Sequence, residues 1–386
     1  MTEPTGHDSE RALVDFVAAL VALSSENPPG NECVVERAVI DFARRERLAY
    51  ERVPVTETRA NLVVRIPGRS AARPLAFTGH MDVVPVGPVE RDAWHTDPYV
   101  PTRRGRRLYG RGAADMKGGL AAMLWAAAAM TRGDITPPQD VYLLITCDEE
   151  NTMRGSRTLL THPAMSKIRD LVVGEPTGMT LCRVSRGRTY ADVTLHGKTA
   201  HGSRPGTGTN AIDVMVDVVE ALRHTAYATH WQPLATAAGC PPDIVPDRCT
   251  VRLDCRLAPH ETTEERLCEL TDTLDRMARP HGYDVCVIDR REPWTTPADH
   301  PLVRAVGRYG PVTETVFTGS TDANVLAEAG MAPIIIGPGE LDVVHQANEF
   351  VDLDDVVRAF RLYRALMVDG VEDRRQEGSF YGKIEA

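Results

Sequence analysis

The feature of this 386-residue sequence that most constrains its fold is a series of short apolar runs that lead to a histidine or an acidic residue. Five such endings occur: residues 74–79 lead to His80, 108–114 to Asp115, 141–147 to Glu150, 171–174 to Glu175 and 333–339 to His345. Short apolar runs bounded by turn-forming residues are typical of buried strands in a parallel sheet. Because ligands of an open α/β sheet gather beyond the carboxyl ends of its strands, these five side chains are predicted to converge.

Two of these endings carry a second acidic residue. Asp82 follows His80 in a His-x-Asp element, and its carboxylate is predicted to accept the second imidazole N–H and fix the tautomer. Glu149 and Glu150 are adjacent on a predicted turn, so their side chains point apart and can have different roles. Histidines and carboxylates that meet in one cleft are typical ligands of zinc.

The chain is long enough for two domains, because 386 residues exceed the size at which a single hydrophobic core usually stops growing. Strand-like runs alternate with helical patterns up to about residue 183, which is typical of a largely parallel α/β sheet. A different rhythm follows, with strand patterns at 189–196, 232–238, 248–258 and 283–290 and helical patterns at 209–224 and 262–279. This β-α-β-β-α-β order is the split arrangement of ferredoxin-like modules.

The predicted fold class is therefore α/β. It combines a mostly parallel mixed sheet with helices on both faces and an inserted α+β ferredoxin-like domain. Residues 1–183 and 294–386 are assigned to a metal-binding catalytic domain, and residues 184–293 to a lid or dimerisation domain. The polar tail after about residue 373 is predicted to be loosely held.

Composition excludes several classes of partner. A formal net charge of −10 without a long basic run argues against nucleic acid or an anionic membrane surface. No apolar run approaches the roughly 20 residues of a membrane span, and the first ten residues lack the layout of a signal peptide. We therefore expect a soluble cytoplasmic protein. The eight cysteines include no C-x-x-C pair and are predicted to be free thiols.

Further motifs in the same order give the sequence a family resemblance. They are SENPPG at 25–30, WHTDP at 94–98, GRGAADMKGG at 110–119, GEPT at 174–177, AHGSRP at 200–205, NAI at 210–212, GSTDA at 319–323, and His345 with Glu349. With these motifs the chain resembles the cocatalytic-zinc deacylases and carboxypeptidases. That family includes acetylornithine deacetylase, succinyl-diaminopimelate desuccinylase, aminoacylase and the glutamate carboxypeptidases.

The resemblance implies a pair of divalent metal ions. It assigns His80 and Glu175 to one ion, Glu150 and His345 to the other, and Asp115 to a bridge between them. Zinc is the expected metal, although cobalt or manganese also suits a mixed set of imidazole and carboxylate ligands. Two such ions about 3.5 to 4 Å apart polarise a carbonyl and acidify a shared water, which is what amide hydrolysis at neutral pH requires.

The resemblance also implies roles for residues that are not metal ligands. Glu149 corresponds to the general base. Asp82 would not bind the metal itself but would contact the residues that do. His201 corresponds to a histidine that crosses a dimer interface and stabilises the oxyanion, so a homodimer formed through the lid domain is expected. Arg256 corresponds to a lid arginine that pairs with a substrate carboxylate.

The substrate-binding residues include one departure from the family pattern. Gly319, Ser320 and Thr321 match a loop on the substrate side that offers backbone donors and a hydroxyl. Asp243 stands shortly before Val245 and Pro246, where relatives usually carry asparagine. A carboxylate cannot donate a hydrogen bond as an amide can, so the usual carboxylate-binding contacts are altered and a cationic substrate group is favoured.

Three functions are compatible with this sequence. The leading prediction is a metal-dependent deacylase that cleaves the amide bond of an N-acyl amino acid. The first alternative is a metallocarboxypeptidase that releases a C-terminal residue. Glu175 stands where aminopeptidase and dipeptidase relatives tend to carry aspartate, which favours a deacylase or a carboxypeptidase but does not separate these two. The remote alternative is a non-catalytic homologue that binds an amino-acid derivative. All six ligand and base positions are present, which argues against it.

Overall fold

The computed structural model describes residues 6–224, 231–237, 243–310 and 313–371, with side-chain surroundings from residue 10 onward and none for 235–237. The tail after residue 373 therefore lies outside the described residues. The chain divides into two units, with boundaries at residues 183/184 and 294/295. The short segment 318–320 groups with the second unit, although it follows the return of the chain to the first.

The helices of the described residues are α1 (Gly6–Val21), α2 (Cys33–Arg45), α3 (Pro88–Asp92), α4 (Gly118–Arg132), α5 (Arg154–Leu159), α6 (Ala211–Arg223), α7 (Thr263–Met277), α8 (Pro301–Gly307), α9 (Asp322–Glu328) and α10 (Leu353–Asp369). The strands are β1 (Ala49–Pro54), β2 (Ala60–Ile66), β3 (Ser70–His80), β4 (Thr102–Arg104), β5 (Arg107–Tyr109), β6 (Gln139–Thr146), β7 (Asp170–Val173), β8 (Leu181–Ser185), β9 (Gly187–His196), β10 (Trp231–Ala237), β11 (Arg248–Leu257), β12 (Tyr283–Arg291), β13 (Trp294–Thr295), β14 (Glu314–Phe317), β15 (Ala332–Ile335) and β16 (Phe350–Asp352). Of these helices, none has the length and apolar character that crossing a bilayer requires.

The main sheet has the strand order β1-β2-β6-β3-β7-β15-β8-β13, and β14 also pairs with β8. Its centre is parallel, because β6, β3, β7 and β15 pair in parallel while β1, β2 and β8 join antiparallel. Apolar runs such as 75–79 are buried on both faces, as expected for central parallel strands. The predicted fold class of a mostly parallel mixed sheet is confirmed.

Helix α4 provides much of the core of the first unit. Its alanine-rich sequence carries little side-chain bulk, and nearly every residue from 118 to 130 is buried. It packs against α10, α1 and strand β3. On α10, the ring of Tyr363 lies 5.4 Å from the ring of Phe77, and its hydroxyl donates to the carbonyl of Ile336 at 2.6 Å. These contacts tie α10 to the strands that carry the candidate ligands.

The second unit has its own antiparallel sheet with the order β10-β11-β9-β12. With α6 and α7 between the strands, this is the order of a ferredoxin-like module, so the predicted β-α-β-β-α-β arrangement is confirmed. The helices begin at polar caps: Asn210 accepts from the backbone of Ile212, and Thr262 forms a capping box with Glu265. The strand predicted at 232–238 spans Trp231–Ala237, and residue 238 lies outside the described residues.

Candidate metal centre

Three of the candidate ligands lie at the carboxyl ends of adjacent parallel strands. His80 is the last residue of β3, Glu150 follows the end of β6, and Glu175 follows the end of β7. Strands β6, β3 and β7 are direct neighbours in the sheet, so their ends lie at one edge. The side chains of His80 and Glu175 approach to 3.6 Å between Nε2 and Oε1.

Asp115 also contacts this group of side chains, but it does not lie at the end of a strand of the main sheet. The sequence predicts that it follows a strand, but β5 ends at Tyr109 and belongs to a small separate sheet, β16-β5-β4. Asp115 instead lies in a kinked segment, Ala113–Lys117, directly before α4, and its own φ of −116° and ψ of 98° are not helical. One carboxylate oxygen lies 2.9 Å from His80 Nε2, and the other lies 3.2 Å from His345 Nε2. Each oxygen of Asp115 therefore faces a different imidazole.

His345 completes the group from a loop that follows β15. Its backbone has φ of 59°, in the left-handed region that non-glycine residues seldom adopt. Its Nε2 lies 3.2 Å from Glu150 Oε2. The imidazole is 47% exposed, whereas that of His80 is 1% exposed, so the centre opens to solvent on the His345 side.

The centre contains more buried acidic groups than cations. Burial and the charge of Asp115 raise the pKa of Glu175 well above its usual range and raise the pKa of Glu150 as well. Burial alone would lower the pKa of His345, but hydrogen bonds with Asp115 and Glu150 outweigh it and raise the pKa to about 11. Both effects reflect unbalanced negative charge. Divalent cations balance such charge, and they need these same groups deprotonated.

Two overlapping sets of side chains have the spacing of metal ligands. In each set, one donor atom per residue lies within 4.8 Å of the others: His80, Glu149 and Glu175 in one set, His80, Asp115 and Glu150 in the other. Oxygen and imidazole nitrogen donors in sets of three suit zinc and similar divalent ions. The predicted base, Glu149, thus lies among the predicted ligands and is itself buried.

Asp82 contacts His80 in a way that differs from the sequence prediction. The imidazole Nδ1 lies 2.9 Å from the main-chain oxygen of Asp82, and 3.6 Å from its carboxylate. The carboxylate instead accepts the backbone N–H groups of Glu149 at 3.2 Å and Glu150 at 3.1 Å. Asp82 lies two residues after the end of β3, which pairs in parallel with β6, so its side chain can reach the turn that follows β6.

Glu349 and Arg111 were not assigned roles from the sequence, yet they hold two ligand loops together. The buried carboxylate of Glu349 accepts the backbone N–H groups of Ala114 at 3.0 Å and Asp115 at 3.2 Å. Arg111, also buried, donates to Glu349 at 2.7 Å. The family resemblance includes Glu349, but the sequence alone does not reveal that it contacts the Asp115 loop.

The substrate-binding candidates of the second unit are held by hydrogen bonds within that unit. Nδ1 of His201 accepts from the backbone N–H of Ser203 at 3.2 Å. An imidazole nitrogen that accepts from a backbone N–H is unprotonated, so the neutral ring carries its proton on Nε2. Arg256 Nε donates to Asp254 at 3.0 Å. Asp243 is exposed with φ of 64°, and its carbonyl accepts from Gly202 at 2.7 Å.

The three residues of the loop at 319–321 make different hydrogen bonds. The carbonyl of Gly319 accepts from Ser185 at 3.1 Å, and Ser320 Oγ accepts from Arg291 at 3.2 Å. Thr321 caps helix α9: its Oγ1 accepts from the backbone of Ala323 at 3.1 Å, and its own N–H donates to Asn324 at 2.9 Å. The amide of Thr321 is therefore occupied, contrary to the expectation that it offers a backbone donor.

Taken together, a parallel α/β unit with a histidine–carboxylate centre at its strand ends and a ferredoxin-like second unit define a class of metal-dependent hydrolase. The chain belongs to peptidase family M20/M25/M40, whose family model matches residues 76–369. The resemblance found in the sequence is thereby confirmed, and the protein is a hydrolase of this family.

Named relatives cover most of the chain. It is 27% identical over 402 residues to a probable succinyl-diaminopimelate desuccinylase of Staphylococcus epidermidis, which covers 92% of this chain and 97% of the relative. It is 31% identical over 322 residues to the acetylornithine deacetylase of Myxococcus xanthus, covering 78% of this chain and 81% of the relative. A solved structure from Bacillus subtilis, described as a dinuclear metal-binding peptidase of the M20 family, has a TM-score of 0.71 at 14% identity and covers 95% of this chain and 98% of its own.

Proposed function

We propose that this protein is a dinuclear metal-dependent deacylase that hydrolyses the amide bond of an N-acyl amino acid. The observation that carries the proposal is the position of Asp115 between two imidazoles, with one carboxylate oxygen 2.9 Å from His80 and the other 3.2 Å from His345. A carboxylate so placed can bridge two ions. The names of the Staphylococcus epidermidis and Myxococcus xanthus relatives support the deacylase activity.

In this proposal His80 and Glu175 hold one ion, and Glu150 and His345 hold the other. The distances of 3.6 Å within the first pair and 3.2 Å within the second support this grouping. Zinc is the proposed metal, with cobalt and manganese able to occupy the same donors. When bound, the ions supply Lewis acidity toward the substrate carbonyl and toward water. The Bacillus subtilis neighbour, described as dinuclear, supports the number of ions.

Glu149 is proposed as the general base. Its carboxylate is buried beside His80 and Glu175, where a proton accepted from water can be passed on to the leaving amine. Its backbone N–H donates to the carboxylate of Asp82, which fixes the backbone position from which the Glu149 side chain extends. A base needs this positioning more than it needs a strongly altered pKa, because proton transfer requires hydrogen-bond distance.

His201 is proposed to donate a hydrogen bond to the oxyanion at the metal centre of a second copy of the chain. Its Nδ1 accepts from Ser203, so the neutral ring has an Nε2–H available as a donor. The imidazole is exposed, which suits contact with another molecule. A homodimer formed through the second unit is part of this proposal.

Arg256 and Asp243 are proposed to select the substrate. The side chain of Arg256 is 37% exposed, and among the described residues only its Nε is engaged, by Asp254. Its terminal nitrogens can grip the α-carboxylate of an amino acid in a bidentate manner. The exposed carboxylate of Asp243 suits a cationic group elsewhere on the substrate. Gly319 and Ser320 would add polar contacts, with Thr321 fixing their loop by capping α9.

A substrate screen tests this function. N-acetyl, N-succinyl and N-formyl amino acids and a set of dipeptides are incubated with zinc- and cobalt-loaded protein, and release of the free amine is measured. We expect hydrolysis of N-acyl amino acids, with N-acyl diamino acids among the best because of Asp243. Hydrolysis of dipeptides with no turnover of any N-acyl amino acid would replace the deacylase with a peptidase. Stoichiometric binding without turnover of either class would indicate the non-catalytic homologue.

A further inference from the structure

The SENPPG motif at 25–30 has no role in the function proposed so far. The structure places residues 25–27 alongside residues 81–83, directly after the ligand His80. The backbone N–H of Asn27 donates to Val83 at 2.9 Å, and the N–H of Val83 donates to Ser25 at 3.0 Å. This segment lies outside the 76–369 range of the family match. An N-terminal segment thus borders the metal centre.

The side chain of Asn27 links two carboxylates. Its Nδ2 donates to Asp82 Oδ2 at 2.8 Å and to Asp148 Oδ1 at 3.1 Å. All three side chains are buried: Asn27 is 2% exposed, and both aspartates are 0% exposed. Because an amide nitrogen carries two hydrogens, Asn27 can satisfy both carboxylates without adding charge.

These two carboxylates fix the turn that carries the proposed base. Asp82 accepts the backbone N–H groups of Glu149 and Glu150 through its two oxygens, at 3.2 and 3.1 Å. Asp148 begins the same turn with φ of 66°, and its Oδ2 accepts from Thr152 at 2.7 Å. The orientation of both glutamates therefore depends on where the two aspartates are held.

Electrostatics favours an amide at position 27. Asp82 and Asp148 are like charges in a buried site. Arg59 pairs with Asp148 at 2.9 Å and also with Glu32, and the exposed Arg154 lies 3.9 Å from Asp148. Arg59 therefore has to balance more than one carboxylate. A third carboxylate at position 27 would add repulsion and remove both hydrogen-bond donors.

We propose that Asn27 is a positioning residue for this reaction. It holds Asp82 and Asp148 so that the backbone of Glu149 and Glu150 stays in the orientation that the base and the ligand need. The catalytic consequence rests on the proposed function, whereas the positioning of the turn does not. Mutation of a residue that supports metal ligands through hydrogen bonds typically reduces metal affinity or activity by about 10–100-fold.

The test compares Asn27→Asp with Asn31→Asp. Asn31 lies on the same segment, but it is exposed and its Nδ2 donates to the carbonyl of Ser24, so the control makes the same chemical change away from the two aspartates. Amide hydrogen exchange is measured at Glu149 and Glu150 in the full chain. We expect exchange about tenfold faster in Asn27→Asp, because hydrogen bonds to charged acceptors are weakened. Asn31→Asp should exchange like wild type.

Metal affinity and kinetics form the second part of the test. We expect Asn27→Asp to lose about 10–100-fold in zinc affinity or in kcat with an unchanged KM. If wild type hydrolyses no N-acyl amino acid but the exchange result holds, the proposed function fails and the positioning role stands. Unchanged exchange, affinity and kcat would overturn the positioning role. Asn27→Ala, which removes the donors without adding charge, carries the test if the aspartate variant does not fold. A uniform loss of protection throughout the first unit in both Asn27 variants would also overturn it.

Discussion

The metal centre and the substrate-binding candidates of the second unit are built in different ways. In the metal centre, side chains from distant parts of the chain contact one another: the buried His80 and Asp115, and the more exposed His345. In the second unit, the candidate side chains of the exposed His201 and the half-buried Arg256 contact residues close in sequence, Ser203 and Asp254. The sheet fixes the positions of His80, Glu150 and Glu175 in the first region, whereas Asp115 and His345 lie on connecting segments. The second region is held by hydrogen bonds within its own unit, such as that between Gly202 and Asp243.

This difference has a physical basis. Ligands at the ends of adjacent parallel strands share the rigidity of the sheet, so little conformational entropy is lost when an ion binds. An exposed side chain such as that of His201 retains rotamer freedom, and part of the binding free energy of a substrate is used to order it. The comparison predicts that changes in the first region alter chemistry, and that changes in the second alter recognition or assembly.

The largest expected effect comes from removing the metal. A strong chelator should abolish activity, and added zinc or cobalt should restore it, with two ions bound per chain at saturation. Hydrogen exchange should increase around residues 148–150 and 345 but not in β9 or β11, because those strands hold none of the ligands. Full activity with no more than one ion per chain would contradict the bridging role of Asp115.

Glu149→Gln should have the next largest effect. It removes the proposed base while keeping the shape of the side chain, so kcat should fall by about 10²–10⁴-fold with metal content near that of wild type. Glu150→Gln is the matched variant, and it should lose metal as well because Glu150 contacts His345. The opposite pattern would exchange the roles of these two glutamates.

His201→Ala should reduce kcat by about 10²–10³-fold, as expected for one oxyanion donor. Mixing it with Glu149→Ala chains under exchange conditions should restore activity, because each heterodimer would contain one complete site. His224→Ala is a suitable control, since His224 is exposed on the same unit and pairs with Glu220. Proven subunit exchange without recovered activity would place His201 in its own chain's reaction.

Arg256→Ala should have the smallest effect, about a 10–100-fold loss of kcat/KM dominated by KM, because one charge-assisted contact is removed. A substrate amide without the α-carboxylate should lose activity with wild type but little more with this variant, since the two deletions remove one interaction. Arg252→Ala controls for charge on the same strand, where Arg252 pairs with Asp192. If the losses of activity from the two deletions were additive, the α-carboxylate of the substrate would bind a residue other than Arg256.

Much of the fold could be predicted because hydrophobic periodicity and strand order follow simple rules. The apolar run before His80 is a central strand, and the β-α-β-β-α-β pattern gives the sheet order of the second unit. The convergence of His80, Glu150 and Glu175 also follows from the sequence, because side chains after adjacent parallel strands meet at one edge. The roles of these residues remain predictions.

Loop geometry could not be predicted in the same way. The kinked segment that presents Asp115 and the left-handed backbone of His345 have no periodic signal, since they depend on tertiary contacts such as those of Glu349. For Asp82, the sequence indicated proximity to His80 but not which oxygen would contact it. Thr321 is another example, because a threonine in a loop motif is also a good helix cap.

The way in which the second unit is inserted has a consequence for how such a protein can diversify. The chain leaves the main sheet in β8 and returns to it in β13, and these two strands are neighbours. An insert whose two ends lie on neighbouring strands can be replaced by another insert without a change in the rest of the sheet. Its length and surface can change over generations without displacing His80, Glu150 or Glu175. Under the proposed function, recognition can therefore evolve by exchange of the second unit while the proposed metal ligands are kept.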